Sequence, residues 1–129
     1  MSHKVLIADD EPNIVISLEY LMKREGHAVI VARDGEQALE LIRAERPALV
    51  LLDVMMPKRS GVEVCQALRA DEALAGVKVL MLTAKGRDTD VALGLGVGAD
   101  AYMTKPFSTR ELAAKVRELL GDAPGGAGG

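Results

Sequence analysis

Short, almost wholly aliphatic runs alternate five times with longer stretches in which apolar residues return every three or four positions. The aliphatic runs predict strands over 4–9, 28–32, 48–53, 77–82 and 101–103, and the central ones carry few polar residues, as strands covered on both faces must. Between them the helical period predicts helices over 12–25, 35–45, 61–70, 88–98 and 108–120. Ile14, Leu18, Leu21 and Met22 share one face of the first, and Ala38, Leu39 and Ile42 one face of the second. Val64, Ala67 and Leu68 do so in the third, and Leu112, Val116, Leu119 and Leu120 in the last. Pro12 sits in the first turn of the first helix and Gly26 stops it; the second ends before Pro47. Ser108, with Glu111 three residues on, is a capping-box signature. The segment 88–98 is the weakest, because Gly94 and Gly96 each cost about 1 kcal/mol of helix propensity relative to alanine. Low local stability suits an element that moves. The alternation as a whole predicts an α/β fold, a doubly wound parallel sheet with helices on both faces.

All of this pattern lies within residues 1–120, which form one expected domain; the glycine-rich stretch 121–129 is expected to be a flexible tail or linker stump. A chain of 129 residues, 49% hydrophobic and 27% charged, is large enough to hold a core without disulfides or metal staples. Its net charge of −3, with no strip of basic and aromatic residues, gives no grip on a phosphate backbone, so direct nucleic-acid binding is not expected. The longest apolar stretch, 48–57, is interrupted by Asp53 and is too short to cross a bilayer. Cys65 is the sole cysteine and the chain enters its first strand with no apolar leader, so the expected compartment is a reducing cytoplasm. Cys65 itself reads as a small apolar residue, and His3 and His27 as strand-edge histidines without ligand partners at metal spacing.

Chemistry gathers at the strand ends. Asp9 and Asp10 follow the first strand, Asp53 closes the third, Thr83 follows the fourth and Lys105 the fifth. Ligands of open α/β sheets sit outside the carboxyl ends of the strands, where the winding direction reverses. Taken singly, each acid could be a helix cap or a turn residue. Together the three carboxylates repel one another unless a cation neutralises them. Mg2+ suits such a site, with Asp9, Asp10, Asp53 and the backbone carbonyl of Met55 as the protein ligands. Three carboxylates against one ammonium and one dication balance to zero charge. A phosphoryl group then adds about one negative charge, which the Thr83 hydroxyl and the Lys105 ammonium are placed to receive. A carboxylate so screened can act as a nucleophile and form an acyl phosphate, and Asp53, in the middle of the set, takes that role.

The combination Asp9-Asp10, Asp53-Val54-Met55-Met56-Pro57 with Gly61, Leu82-Thr83-Ala84, and Gly98-Ala99-Asp100-Ala101-Tyr102 leading into Lys105-Pro106-Phe107 resembles the receiver domain of two-component response regulators, the chemotaxis-regulator-like family. The resemblance covers about 4–120. It implies a flavodoxin-like receiver fold with five helices and strand order 2-1-3-4-5. It also implies phosphorylation of Asp53 by a sensor histidine kinase or histidine phosphotransfer protein, magnesium, and a cis peptide before Pro106. On this resemblance Thr83 swings to the phosphoryl oxygen, Tyr102 turns inward behind it, and the fourth helix, fifth strand and fifth helix change the face offered to a downstream partner, a fused output domain or a second copy. The domain is then a regulatory phosphoacceptor that assists its own phosphorylation and dephosphorylation, not an enzyme in the ordinary sense. Where the DNA-binding members commonly place charged residues on that face, this chain has Val91, Leu93 and Gly96, so a less polar output face including Val97 and Tyr102 is expected. Met55 and Lys85 flank the line of attacking water in this family. A second interpretation, a metal-dependent phosphatase with an aspartyl nucleophile, calls for an acid two residues after Asp53, where this chain has Met55.

Overall fold

Every strand expected from the aliphatic runs is present in the computed structural model, which describes residues 3–56, 58–84, 96 and 98–121. The order is β1 (Lys4–Ala8), α1 (Pro12–Arg24), β2 (Ala28–Ala32), α2 (Gly35–Glu45), β3 (Leu49–Asp53), α3 (Gly61–Arg69), a 3-10 turn (Glu72–Leu74), β4 (Lys78–Ala84), β5 (Ala101–Lys105) and α4 (Thr109–Leu120). The five strands form one parallel sheet in the order β2-β1-β3-β4-β5.

Period-two alternation divides the strand residues between two cores. Leu6, Ala8, Val50, Leu52, Val79 and Met81 pack with the apolar faces of α2 and α3. Val5, Ile7, Leu49, Leu51, Leu80 and Leu82 pack with those of α1 and α4. β3 is buried along its whole length. The chain therefore winds one way from β1 to β2 and the other way from β3 onward, and the reversal falls between β1 and β3.

Local chemistry sets the helix ends. Asp34 Oδ1 accepts from Gln37 N at 2.8 Å at the start of α2. The reciprocated capping box belongs to α3, where Ser60 Oγ accepts from Glu63 N and Glu63 Oε1 accepts from Ser60 N. At α4 Ser108 Oγ accepts from Glu111 N at 3.0 Å, one half of the box expected there. Gly26 and Gly121 take positive φ beyond α1 and α4, closing helices as glycine does.

Several boundaries differ from expectation for reasons of pairing. β4 extends to Ala84 and β5 to Lys105 because Thr83 pairs with Thr104 and Ala84 with Lys105, carrying the ladder two residues past Met103. The 3-10 turn was not expected; it buries Leu74. In α1 it is Val15 that is buried, with Ile14 only half-buried. His3 and His27 come together: their ring centroids lie 5.5 Å apart and His27 Nδ1 accepts from His3 N at 3.1 Å. The expected helix 88–98 falls outside the described residues except for Gly96 and Gly98, and so do Val91, Leu93, Val97 and Lys85. Of the expected tail 121–129 only Gly121 is described.

Candidate functional site

Ala8 is in register with Leu52, so the residues that follow, Asp9 and Asp53, leave the sheet side by side at the winding reversal. Asp9 is fully buried, Asp53 is 5% exposed, and Asp10 lies open to solvent. Each of the three offers a carboxylate oxygen within 4.8 Å of the others. Asp9 is held on both sides: its Oδ1 accepts from Glu11 N at 2.9 Å and its Oδ2 from Lys105 Nζ at 2.9 Å. Asp53 Oδ1 accepts from Met55 N at 3.4 Å, in the loop that leaves β3.

Lys105 reaches the acids from the edge strand. As the last residue of the β5 ladder it has a fixed root, and its Nζ lies 3.5 Å from Asp53 Oδ1 and 3.4 Å from Glu11 Oε1 as well as against Asp9. The Lys105–Pro106 peptide is cis. Thr83 is buried at the C-terminal end of β4, one residue beyond Leu82, the partner of Asp53. Met81 pairs with Tyr102 and Thr83 with Thr104, so Thr83 and Tyr102 stand on the same face of the β4–β5 ladder. Tyr102 is 45% exposed and Met55 53% exposed, the latter at the rim of the acid cluster.

The electrostatics show what the cluster lacks. Burial pushes the Asp53 carboxyl up to about 6, with the charge of Asp9 and, less, of Asp10 adding to the rise; Lys105 and the Met55 N–H pull against it. Burial also works against the charge on Lys105, but its hydrogen bond to Asp9 and the charges of Asp53, Asp9 and Glu11 outweigh that, and its ammonium titrates above the ordinary range. One ammonium is thus too little for the acids around it. A hard dication fits the donor set: three converging carboxylates, one of them exposed to the waters that Mg2+ retains.

Close backbone approach shapes the floor. Gly61 N donates to Val54 O at 2.8 Å, and a Cβ at position 61 would run into the carbonyl oxygen of Asp53. The structure thus brings Asp9, Asp10, Asp53 and Lys105 together and sets Thr83 on the neighbouring strand end. Sequence inspection passed over Glu11, whose carboxylate joins the cluster through Lys105; the only signal was a third consecutive acid after β1.

A doubly wound sheet with an acid cluster and a lysine at its switch point defines a class of phosphoryl- and metal-handling domains. The profile of the response regulator receiver domain matches residues 5–117, and the chain belongs to that family. It is 50% identical over 120 residues to the alkaline phosphatase synthesis transcriptional regulatory protein PhoP of Bacillus subtilis (strain 168), covering 93% of this chain and 49% of the relative. The chain thus spans about half the length of that relative. Among solved structures it is similar to the Francisella response regulator 1452 receiver domain, with a TM-score of 0.84 and 34% identity over 92% of this chain and 97% of the other. It is also similar to the receiver domain of the sensor histidine kinase PA1611 from Pseudomonas aeruginosa PAO1, with a TM-score of 0.86 and 26% identity over 95% of this chain and all of the other. That structure carries a magnesium ion coordinated in its active site cleft. Among the described residues no helix is long and apolar enough to cross a membrane.

Proposed function

We propose that this chain is the phosphorylation-controlled switch of a two-component system, with Asp53 accepting a phosphoryl group from a histidine kinase or histidine phosphotransfer protein. The observation that carries the proposal is the Asp53 carboxylate, nearly buried between Asp9 and Asp10 and within 3.5 Å of Lys105. Asp9, Asp10, Asp53 and the Met55 carbonyl would hold Mg2+, which when bound screens the carboxylates from the incoming phosphoryl oxygens. Lys105 supplies a point charge to one of those oxygens, and Thr83 a hydroxyl. Movement of Thr83 is relayed to Tyr102, on the same face of the β4–β5 ladder, and so to the exposed surface at the edge strand β5. A surface that differs between two states is what a fused output domain, a separate protein partner or a second copy of the chain can read. A relative of twice the length with a transcriptional regulatory name supports an output domain as the reader. The phosphatase alternative is the weaker one, because the side chain two residues past Asp53 is the thioether of Met55, which cannot shuttle a proton.

The test uses phosphoramidate, a small donor with the phosphorus–nitrogen bond of phosphohistidine. With Mg2+ present, mass spectrometry is expected to find one added phosphoryl group, mapped to the peptide holding Asp53, and none on Asp53→Asn. Uptake on another residue, or none at all, would end the proposal.

A further inference from the structure

We propose that Glu11 keeps the place of the incoming phosphoryl oxygen in the resting site: its carboxylate engages the Lys105 ammonium, gives it up when that oxygen arrives, and so restrains the loading of Asp53. The inference rests on the phosphoacceptor role above and assigns a positioning residue outside the three aspartates. Lys105 Nζ lies 2.9 Å from Asp9 Oδ2, 3.4 Å from Glu11 Oε1 and 3.5 Å from Asp53 Oδ1. Asp9 and Glu11 accept hydrogen bonds from this ammonium and Asp53 stands beside it as an ion-pair neighbour, so an arriving anionic oxygen competes with carboxylates already gathered on its three N–H donors. Asp9 is fully buried, and releasing it would strand a charge away from water; Asp53 is the reacting group. Glu11 is the one that can leave freely, because its side chain is 61% exposed and water takes up the carboxylate.

The start of α1 supplies an independent observation. Glu11 is its N-cap, a position where Ser, Asp or Asn turns a side-chain oxygen back onto the first N–H groups of the helix. No side-chain cap bond forms there; the Glu11 carboxylate turns to Lys105 instead. A helix start left without its cap, its carboxylate turned to the lysine of the acid cluster, is a local rule broken in favour of the site.

Loading joins Asp53 Oδ to phosphorus as the phosphorus–nitrogen bond of phosphoramidate breaks, and ammonia leaves with the bonding pair. The protein donates no proton. The experiment follows the rate of this mass increase, with Mg2+, in the parent chain, E11Q, E11S and E19Q. Removing one exposed charge beside the entry path is expected to speed loading of E11Q and E11S about three- to tenfold at low salt, and the gain shrinks toward one as ionic strength rises. Glu19 lies about 12 Å farther along α1, where it pairs with Lys23 at 3.0 Å, so E19Q loses the same charge and loads like the parent. If a parent that does load matches or outpaces both Glu11 variants, or if E19Q accelerates equally, the inference alone is overturned. A parent that takes up no phosphoryl group overturns the proposed function together with it.

Discussion

At Asp53 a reactive position and a stable fold make opposite demands on one side chain. Its carboxyl is pushed from 3.8 to about 6, chiefly by burial and then by the charge of Asp9. The folded protein therefore holds this proton more tightly than the unfolded chain does. The stability attached to it is full below about pH 4 and is lost as pH rises through about 6. A shift of about two units corresponds to at most ~3 kcal/mol. Asn carries no charge at any pH, so metal-free Asp53→Asn is expected to exceed the parent in stability by up to ~3 kcal/mol near neutral pH and by little near pH 4. Urea unfolding at the two pH values, with chelator present, measures the gap; the same gap at both would mean that Asp53 is not the strained charge. The residues of this site were legible in unequal degree. Asp9, Asp53 and Lys105 stood out because each follows or ends an apolar run, and parallel strands deliver their ends to one edge. Glu11 did not, since an acid before a proline-started helix reads as ordinary cap sequence. Nor did the meeting of His3 with His27, which depends on the pairing of Lys4 with Ala28 across β1 and β2.

Among the elements, β5 shows how pairing outruns pattern. The expected strand stopped at Met103, yet β4 offers Thr83 and Ala84 as partners and the strand continues through Thr104, rooting Lys105 in the ladder. The other end of β5 is held by a latch with no trace in hydrophobic periodicity. Arg69, the last residue of α3, donates from Nε to Gly98 O at 2.8 Å, from Nη1 to Val77 O at 2.9 Å and from Nη2 to Asp100 Oδ2 at 2.7 Å. Asp100 Oδ2 in turn accepts from Val79 N at 2.8 Å. Gly98 is required twice over: its φ of +101° disfavours a side chain, and a Cβ there would come within 2.7 Å of Arg69 Cγ. The latch thus ties α3, the entry to β4 and the approach to β5 into one corner. Arg69→Ala takes a donor from two carbonyls and from the Asp100 carboxylate, which keeps the Val79 N–H, and is expected to cost about 2–3 kcal/mol in urea unfolding at unchanged m-value. Arg69→Lys is expected to recover less than half, because a single ammonium cannot reproduce the planar fork. A loss below about 0.5 kcal/mol for the alanine variant would show the corner to be held by apolar packing alone.

Across the whole molecule, the site is the place where the two cores meet. α2 and α3 cover one face of the sheet, α1 and α4 the other, and the acids lie where the chain changes sides between β1 and β3. Helices on both faces of a parallel sheet were legible from the alternation of strand and helix, whereas the strand order that puts the reversal between β1 and β3 was implied by the family resemblance. The pairing of distant surface groups was not legible: Arg117 of α4 grips Glu25 at the end of α1 through bonds of 2.7 and 2.8 Å, a contact that follows from the packing of two helices far apart in sequence. Because the acids emerge from β1 and β3, the central strands of both cores, a cation bound to them stabilises the folded chain as a unit. Mg2+ at ten times its Kd is expected to add about 1.4 kcal/mol, a rise in Tm of roughly 4–7 °C for a domain of this size. Asp10 offers the sharpest control, since it is exposed and the removal of its charge disturbs neither core. Asp10→Asn is expected to keep the metal-free Tm within a degree or two of the parent, because surface substitutions away from packed features change stability by no more than about 0.5 kcal/mol. Its magnesium-dependent rise is expected to fall to less than half that of the parent at the same concentration. Calorimetry across a magnesium series separates the outcomes: an undiminished rise would take Asp10 out of the ligand set, and no rise in either protein would leave the acid cluster without its cation.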